Sequence, residues 1–152
     1  MTDALRIGVA GLGTVGASVL HILRDKAQLL ASQCGRPVVV VGVSARDRHR
    51  DRGIDLSAVE WFDDPVALAK SGGIDVFVEL MGGDAGVARA SVEAALRAGR
   101  HVVTANKALL AKNGVSLARI AEEKGVLLNF EAAVAGGIPV IKALRESQQP
   151  RS

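Results

Sequence analysis

The segment Pro37-Val38-Val39-Val40-Val41-Gly42-Val43 is a near-continuous valine run with no polar alternation. β-Branched side chains pack well on a pleated surface, and a strand apolar on both faces must be covered on both. That requirement points to a parallel sheet sandwiched between helices. Other short apolar runs in the chain alternate with stretches of helical spacing, the pattern of βαβ units.

Ile7 to Ala10 reads as the first strand, and Val15, Val19, Ile22, Leu23, Leu29 and Leu30 then share one face of a long helix ending near Gly35. The valine run is the second strand. Residues 44 to 58 form a polar loop, Glu60 to Phe62 a short strand, and Asp64-Pro65 opens a helix with an N-cap and a proline at its first position. Asp75 to Leu80 is a further strand. Asp84 caps a helix running to about Ala98, where Gly99 supplies the left-handed stop. His101 to Thr104 and Val126 to Phe130 are two more strands, separated by helical spacing at Leu117, Ile120 and Ala121 and a stop at Gly125. The expectation is a single α/β domain of Rossmann type, doubly wound around a mostly parallel sheet of about six strands.

Composition narrows the function classes. Nineteen Lys+Arg against sixteen Asp+Glu leave a net charge of +3, too mild to demand a polyanionic partner, and 3% aromatics offer little to stack bases on. Nucleic-acid binding is not expected. The single cysteine, Cys34, excludes an internal disulfide, and neither a basic-then-apolar leader nor a run of about 18 apolar residues occurs, so a cytoplasmic protein without a membrane partner is expected. His21, His49 and His101 lack zinc-ligand spacing, and there is no Ser-His-Asp or Walker-type constellation.

Gly11-Leu12-Gly13-Thr14-Val15-Gly16 lies where the first strand hands over to the first helix. In that context a G-x-G-x-x-G has a mechanism: the first glycine permits a tight turn, the second lets backbone approach a pyrophosphate, and the third lets helix and strand pack closely. The helix N-terminus then offers N–H groups and a partial positive charge to phosphate. Gly11, Gly13, Thr14, Val15 and Gly16 are therefore candidate cofactor-binding residues, against the plainer reading of a glycine turn.

The end of the second strand separates the two nicotinamide cofactors, since an acidic residue there holds the ribose 2′-hydroxyl of NAD and an arginine accommodates the 2′-phosphate of NADP. Here the first charged residue is Arg46, followed by Asp47, Arg48, Arg50, Asp51, Arg52 and Asp55. Most of these fit a solvated loop of alternating charge. Arg46 alone is singled out, and it favours NADP while leaving NAD possible.

Three segments fall at carboxyl ends of expected strands, where open α/β sheets bind ligands: Glu79-Leu80-Met81-Gly82-Gly83, Thr104-Ala105-Asn106-Lys107-Ala108-Leu109-Leu110, and Phe130-Glu131-Ala132-Ala133-Val134-Ala135-Gly136-Gly137-Ile138-Pro139. With the glycine loop, and in this order, they resemble the homoserine dehydrogenases over about residues 6 to 146. The resemblance implies hydride transfer between NAD(P)H and L-aspartate 4-semialdehyde to give L-homoserine, in the biosynthesis of threonine and methionine. It implies cofactor contacts from Met81, Gly82, Thr104 and Lys107, with Lys107 beside nicotinamide and substrate as the catalytic residue. A lysine at that edge can exchange a proton with a carbonyl becoming an alcohol when burial or a neighbouring cation loosens that proton; its plainer reading is a surface lysine at a helix start. The resemblance further implies a monovalent cation such as sodium, held by Glu131, Val134, Gly136 and Ile138, mostly through backbone carbonyls.

On the same resemblance, residues 1–130 are the dinucleotide-binding domain, 131–146 a hinge and first helix toward a substrate domain, and 147–152 a tail that departs from the family's continuation. The chain is thus expected to be a truncated form that binds cofactor without turnover, its small-molecule substrate being met only in the full-length protein. Ile138, Ile141 and Leu144 repeat at spacing three, an apolar stripe from which a homo-oligomer is expected. Two other readings stay open, another amino-acid dehydrogenase of the aspartate dehydrogenase kind and a stand-alone NADP-binding regulatory module.

Overall fold

The computed structural model describes residues 4–45, 56–81 and 86–130 of the chain. Its elements, in order, are β1 (Leu5–Ala10), α1 (Thr14–Asp25), α2 (Ala27–Cys34), β2 (Val38–Ser44), β3 (Glu60–Phe62), α3 (Pro65–Lys70), β4 (Val76–Glu79), α4 (Gly86–Arg97), β5 (His101–Thr104), α5 (Lys107–Lys124) and β6 (Leu128–Phe130). The six strands form one sheet in the order β3-β2-β1-β4-β5-β6, and every neighbouring pair runs parallel. The expected doubly wound α/β architecture is what the chain adopts.

Two-residue alternation along the strands builds a core on each face. Ile7, Val9, Val76, Val78 and Val103 pack on one side with Val19, Leu20 and Leu23 of α1. Phe77 and Val102 face the other way, against Leu68 of α3, Val92 and Leu96 of α4, and Leu109, Leu117 and Ile120 of α5. Each such fully buried side chain contributes about 1.5–3 kcal/mol of hydrophobic stabilisation.

The helices start and stop where backbone chemistry requires. Asp64 Oδ1 accepts from the N–H of Val66 at 2.9 Å, with Pro65 at the first helical position. Gly99 and Gly125 take the left-handed conformation, φ +83° and +68°, after α4 and α5. The N-cap expected at Asp84 lies outside the described residues.

The first helix differs from expectation. The long helix to Gly35 is two helices, broken at Lys26, whose φ of −108° and ψ of +26° end α1 and begin α2. Twelve residues of α1 rise about 18 Å, and the six residues of β1 span about 20 Å, so α1 has already crossed the sheet at Asp25. A straight continuation would leave the core. Leu23, before the break, is buried, whereas Leu29, after it, is 45% exposed.

β1 also starts two residues earlier than the apolar run, at Leu5, because Arg6 interrupts that run without interrupting the strand. The Arg6 guanidinium pairs with Asp75 Oδ1 at 2.9 Å, and Asp75 Oδ2 accepts from the Arg6 backbone N–H at 2.9 Å. Partial burial of Asp75 opposes ionisation, but hydrogen bonds from the Arg6 side chain and backbone, with the charges of Arg6 and Arg36, outweigh it and hold its carboxyl below the usual range. A carboxyl lowered in the folded state stabilises above the ordinary aspartate value of about 3.9 and loses that contribution as pH falls through the lower folded value. Both side chains are partly exposed, which limits the pair to about 1 kcal/mol. Asp75→Asn should therefore lower the melting temperature by about 2–4 °C at pH 7, with the difference from wild type shrinking toward pH 2 in thermal melts across pH; a pH-independent difference would contradict this origin.

Candidate cofactor site

The site is assembled by hydrogen bonds that run past the carboxyl ends of the central strands. The N–H of Gly11 donates to Ser44 O at 2.8 Å, that of Leu80 to Ala10 O at 2.8 Å, and that of Ala105 to Glu79 O at 3.2 Å. The loops after β1, β4 and β5 therefore leave the sheet side by side. All three lie on the edge where parallel sheets bind ligands.

The three glycines of the first loop meet different surroundings. Gly11 has φ +99°, and a Cβ there would lie 2.8 Å from the carbonyl of Leu80 and 2.9 Å from Met81 N. Both its conformation and the backbone of the neighbouring loop require glycine. A Cβ on Gly16 would run into the carbonyl oxygen of Gly11, so α1 can pack this closely on the end of β1 only with glycine there. Gly13 is the opposite case: it is exposed, it is the N-cap of α1, and nothing lies within 4 Å of where its Cβ would be. Beyond a modest preference for glycine as a helix cap, neither backbone strain nor close packing calls for glycine at that position.

Above Gly13 the helix N-terminus presents its amides. The first intrahelical bond runs from Ala17 N–H to Gly13 O at 2.9 Å. The N–H groups of Thr14, Val15 and Gly16 precede it and have no acceptor within the helix. With the positive end of the helix dipole they suit a pyrophosphate, and the open side of Gly13 gives it room.

Beyond β4 and β5 a chain of buried polar groups links the other two loops. Because Glu79 pairs with Thr104 across the strands, both side chains emerge on the face of Phe77 and Val102. Thr104 Oγ1 donates to Glu79 Oε1 at 2.6 Å, and the N–H of Met81 donates to Glu79 Oε2 at 2.7 Å. Thr104 Oγ1 in turn accepts from the N–H of Asn106 at 3.0 Å, and Asn106 Oδ1 accepts from the N–H of Leu109 at 3.0 Å, capping α5. Glu79 and Thr104 are fully buried and Asn106 nearly so.

Several residues singled out in the sequence meet at this edge: Gly11, Gly13, Gly16, Met81, Thr104 and Lys107. Thr104 turns its hydroxyl inward, so it braces the loop from below. Lys107 is the first residue of α5 and is exposed. A cation at a helix N-terminus works against the dipole, and helix stability therefore does not account for its placement. Arg46, Gly82, Glu131, Val134, Gly136 and Ile138 lie outside the described residues. Among those described, no cluster of His, Cys, Asp or Glu could hold a metal ion, and no helix is long and apolar enough to cross a membrane.

Sequence reasoning missed Glu79 and Asn106 as site residues. Glu79 did carry a signal: an acidic residue closing the apolar run Val76-Phe77-Val78 must bury its carboxyl or end the strand, and here it does both.

A parallel sheet in the order 3-2-1-4-5-6, with a glycine loop between its central strand and the following helix, defines a dinucleotide-binding domain. A family described as homoserine dehydrogenase, NAD binding domain, matches residues 11–131. The homoserine dehydrogenase of Neisseria gonorrhoeae is 44% identical over 142 residues, which are 93% of this chain and 32% of that protein. That of Mycobacterium tuberculosis is 43% identical over 147 residues, 95% of this chain and 33% of that protein. Among solved structures, homoserine dehydrogenase from Thiobacillus denitrificans matches with a TM-score of 0.80 at 42% identity, covering 95% of this chain and 33% of that one. The S. aureus enzyme at pH 8.5 matches with a TM-score of 0.79 at 34% identity, covering 88% and 33%. The chain belongs to the homoserine dehydrogenase NAD-binding domain family. It spans about a third of the length of these relatives.

The glycine geometries separate binding from folding. Gly13→Val has space in the folded chain and costs only the glycine cap, about 1 kcal/mol, so circular dichroism should show an intact fold while calorimetry shows cofactor binding abolished. Gly16→Val, which strikes backbone, should lower stability by at least about 1–3 kcal/mol. Normal binding by a folded Gly13→Val variant would reduce the loop to a turn.

Proposed function

We propose that this domain binds NADP in preference to NAD and that, in a protein of its relatives' length, it serves hydride transfer between the cofactor and L-aspartate 4-semialdehyde, giving L-homoserine. The observation that carries the reading is the open side of Gly13 at the N-terminal amides of α1, space that would admit a pyrophosphate and that a side chain would occupy. When bound, the nicotinamide supplies or accepts the hydride. The chain's own groups bind and orient: the amides of Thr14, Val15 and Gly16 hold the pyrophosphate, and Arg46 at the end of β2 meets the 2′-phosphate. Met81, Gly82 and the loop braced by Thr104 bound the nicotinamide side.

Lys107 exchanges the proton that a carbonyl oxygen gains on becoming a hydroxyl, since the reducing hydride brings none. Supporting that role is its position at the start of α5, next to the loops after β4 and β5 and contrary to the helix dipole. Glu131, Val134, Gly136 and Ile138 belong to the same proposal as backbone ligands of a monovalent cation such as sodium. So do a cytoplasmic location, suggested by the single cysteine, and self-association through Ile138, Ile141 and Leu144.

Two measurements test the reading. Calorimetric titration should give NADPH roughly tenfold or more tighter affinity than NADH, because a charge-assisted hydrogen bond to phosphate contributes about 1.5–3 kcal/mol, and Arg46→Ala should erase the difference. Equal affinities unaffected by that substitution would refute the NADP preference. In a protein of relative length carrying this domain, Lys107→Ala should lower kcat about 100-fold or more, the usual contribution of a positioned acid or base, and full activity would remove Lys107 from the mechanism.

A further inference from the structure

A carboxyl group fully removed from water at a ligand-binding edge is an expensive choice for a position that could have completed an apolar strand. Val76, Phe77 and Val78 precede it, all fully buried. Neighbouring strand pairing already holds the backbone there, through Leu80 N–H to Ala10 O at 2.8 Å and Ala105 N–H to Glu79 O at 3.2 Å. Holding the sheet together therefore does not require the carboxyl.

What the carboxyl adds lies beyond the last ladder bonds. Glu79 Oε2 takes the N–H of Met81, two residues past the strand end, at 2.7 Å. Glu79 Oε1 takes the Thr104 hydroxyl at 2.6 Å, and that hydroxyl takes the N–H of Asn106 at 3.0 Å. The two oxygens of one side chain thus fix the loop after β4 to the loop after β5. Asn106 caps α5 through the N–H of Leu109 at 3.0 Å, so the same chain of bonds reaches the turn that sets Lys107 in place.

In a sheet of this order the adenosine ribose lies at the end of β2, so the nicotinamide half falls on the far side of β1, at the ends of β4 and β5. We propose that Glu79 is a positioning residue for the nicotinamide half of the cofactor, its two carboxylate oxygens clamping the Met81 loop to the Thr104–Lys107 loop. This rests on the dinucleotide-binding reading above and adds to it a residue that acts through others, with no contact of its own to cofactor required.

Glu79→Leu fills a similar volume but has no acceptor for either donor, so both ties must break. Calorimetry with the 152-residue chain compares NADPH with 2′-phospho-ADP-ribose, the same molecule without its nicotinamide. The variant should bind NADPH about tenfold more weakly while binding the fragment as the wild type does. A purely structural role would not divide the ligand in this way: parallel weakening of both ligands, or wild-type affinity for NADPH, overturns the proposal. A wild-type chain that binds neither ligand instead overturns the dinucleotide reading beneath it, a distinguishable failure. A second measurement needs no variant. In wild-type protein the backbone amide resonances of Met81 and Asn106 should shift with NADPH and stay in place with the fragment, and unmoved resonances with NADPH would equally overturn the clamp.

Discussion

Everything at the ligand edge depends on β1 being paired on both sides. It lies between β2 and β4, paired from Leu5 to Ala10 with β2 across a register shift between Ile7 and Gly8, and in register from Ile7 to Ala10 with β4. Once it is held there, its last residues have nowhere to go but up and over the sheet. The turn that follows must pass within van der Waals distance of the Leu80–Met81 backbone, and only a residue without Cβ at φ +99° does so. The open space beside Gly13 goes with this turn: α1 starts four residues after the strand end, and its first amides have no acceptor within the helix.

The two ends of the sheet solve the same problem differently. At the amino end the charges of Arg6 and Asp75 meet while still in partial contact with water, 43% and 29% exposed, where an ion pair contributes modestly and desolvation is small. At the carboxyl end the polar groups are buried, and Glu79, Thr104 and Asn106 satisfy one another and nearby amides with short hydrogen bonds. Buried networks of this kind rigidify when satisfied. Rigidity is useful at the edge that must hold a ligand and is of little use at the other.

The strands and their order of appearance were legible because each is a short apolar run between glycine, proline or aspartate signals, and His101 to Thr104 and Glu60 to Phe62 fall where the pattern puts them. The break at Lys26 was not, because it is set by the width of the sheet that α1 must cross, a tertiary length with no local signal. Val126 likewise looks like strand, yet its N–H bonds back to Ala121 O at 3.0 Å, next to the expected stop at Gly125, and delays β6 to Leu128. At the site, the glycine loop, Met81, Thr104 and Lys107 were visible as motif residues. The partner that ties two of those loops together was hidden because its role arises only when β4 and β5 pair in register and bring Glu79 opposite Thr104.

That register also explains why the start of α5 divides its tasks among neighbouring residues. Asn106 supplies the cap, Leu109 the buried apolar anchor, and Thr104 the hydroxyl that fixes the turn from below. None of these tasks falls to Lys107, which is exposed and carries a charge the helix end disfavours. A residue relieved of structural work by its neighbours, and placed against the local electrostatic preference, is held there by the backbone around it. The stability of that turn comes from the groups beneath it, and the Lys107 ammonium supplies none of it.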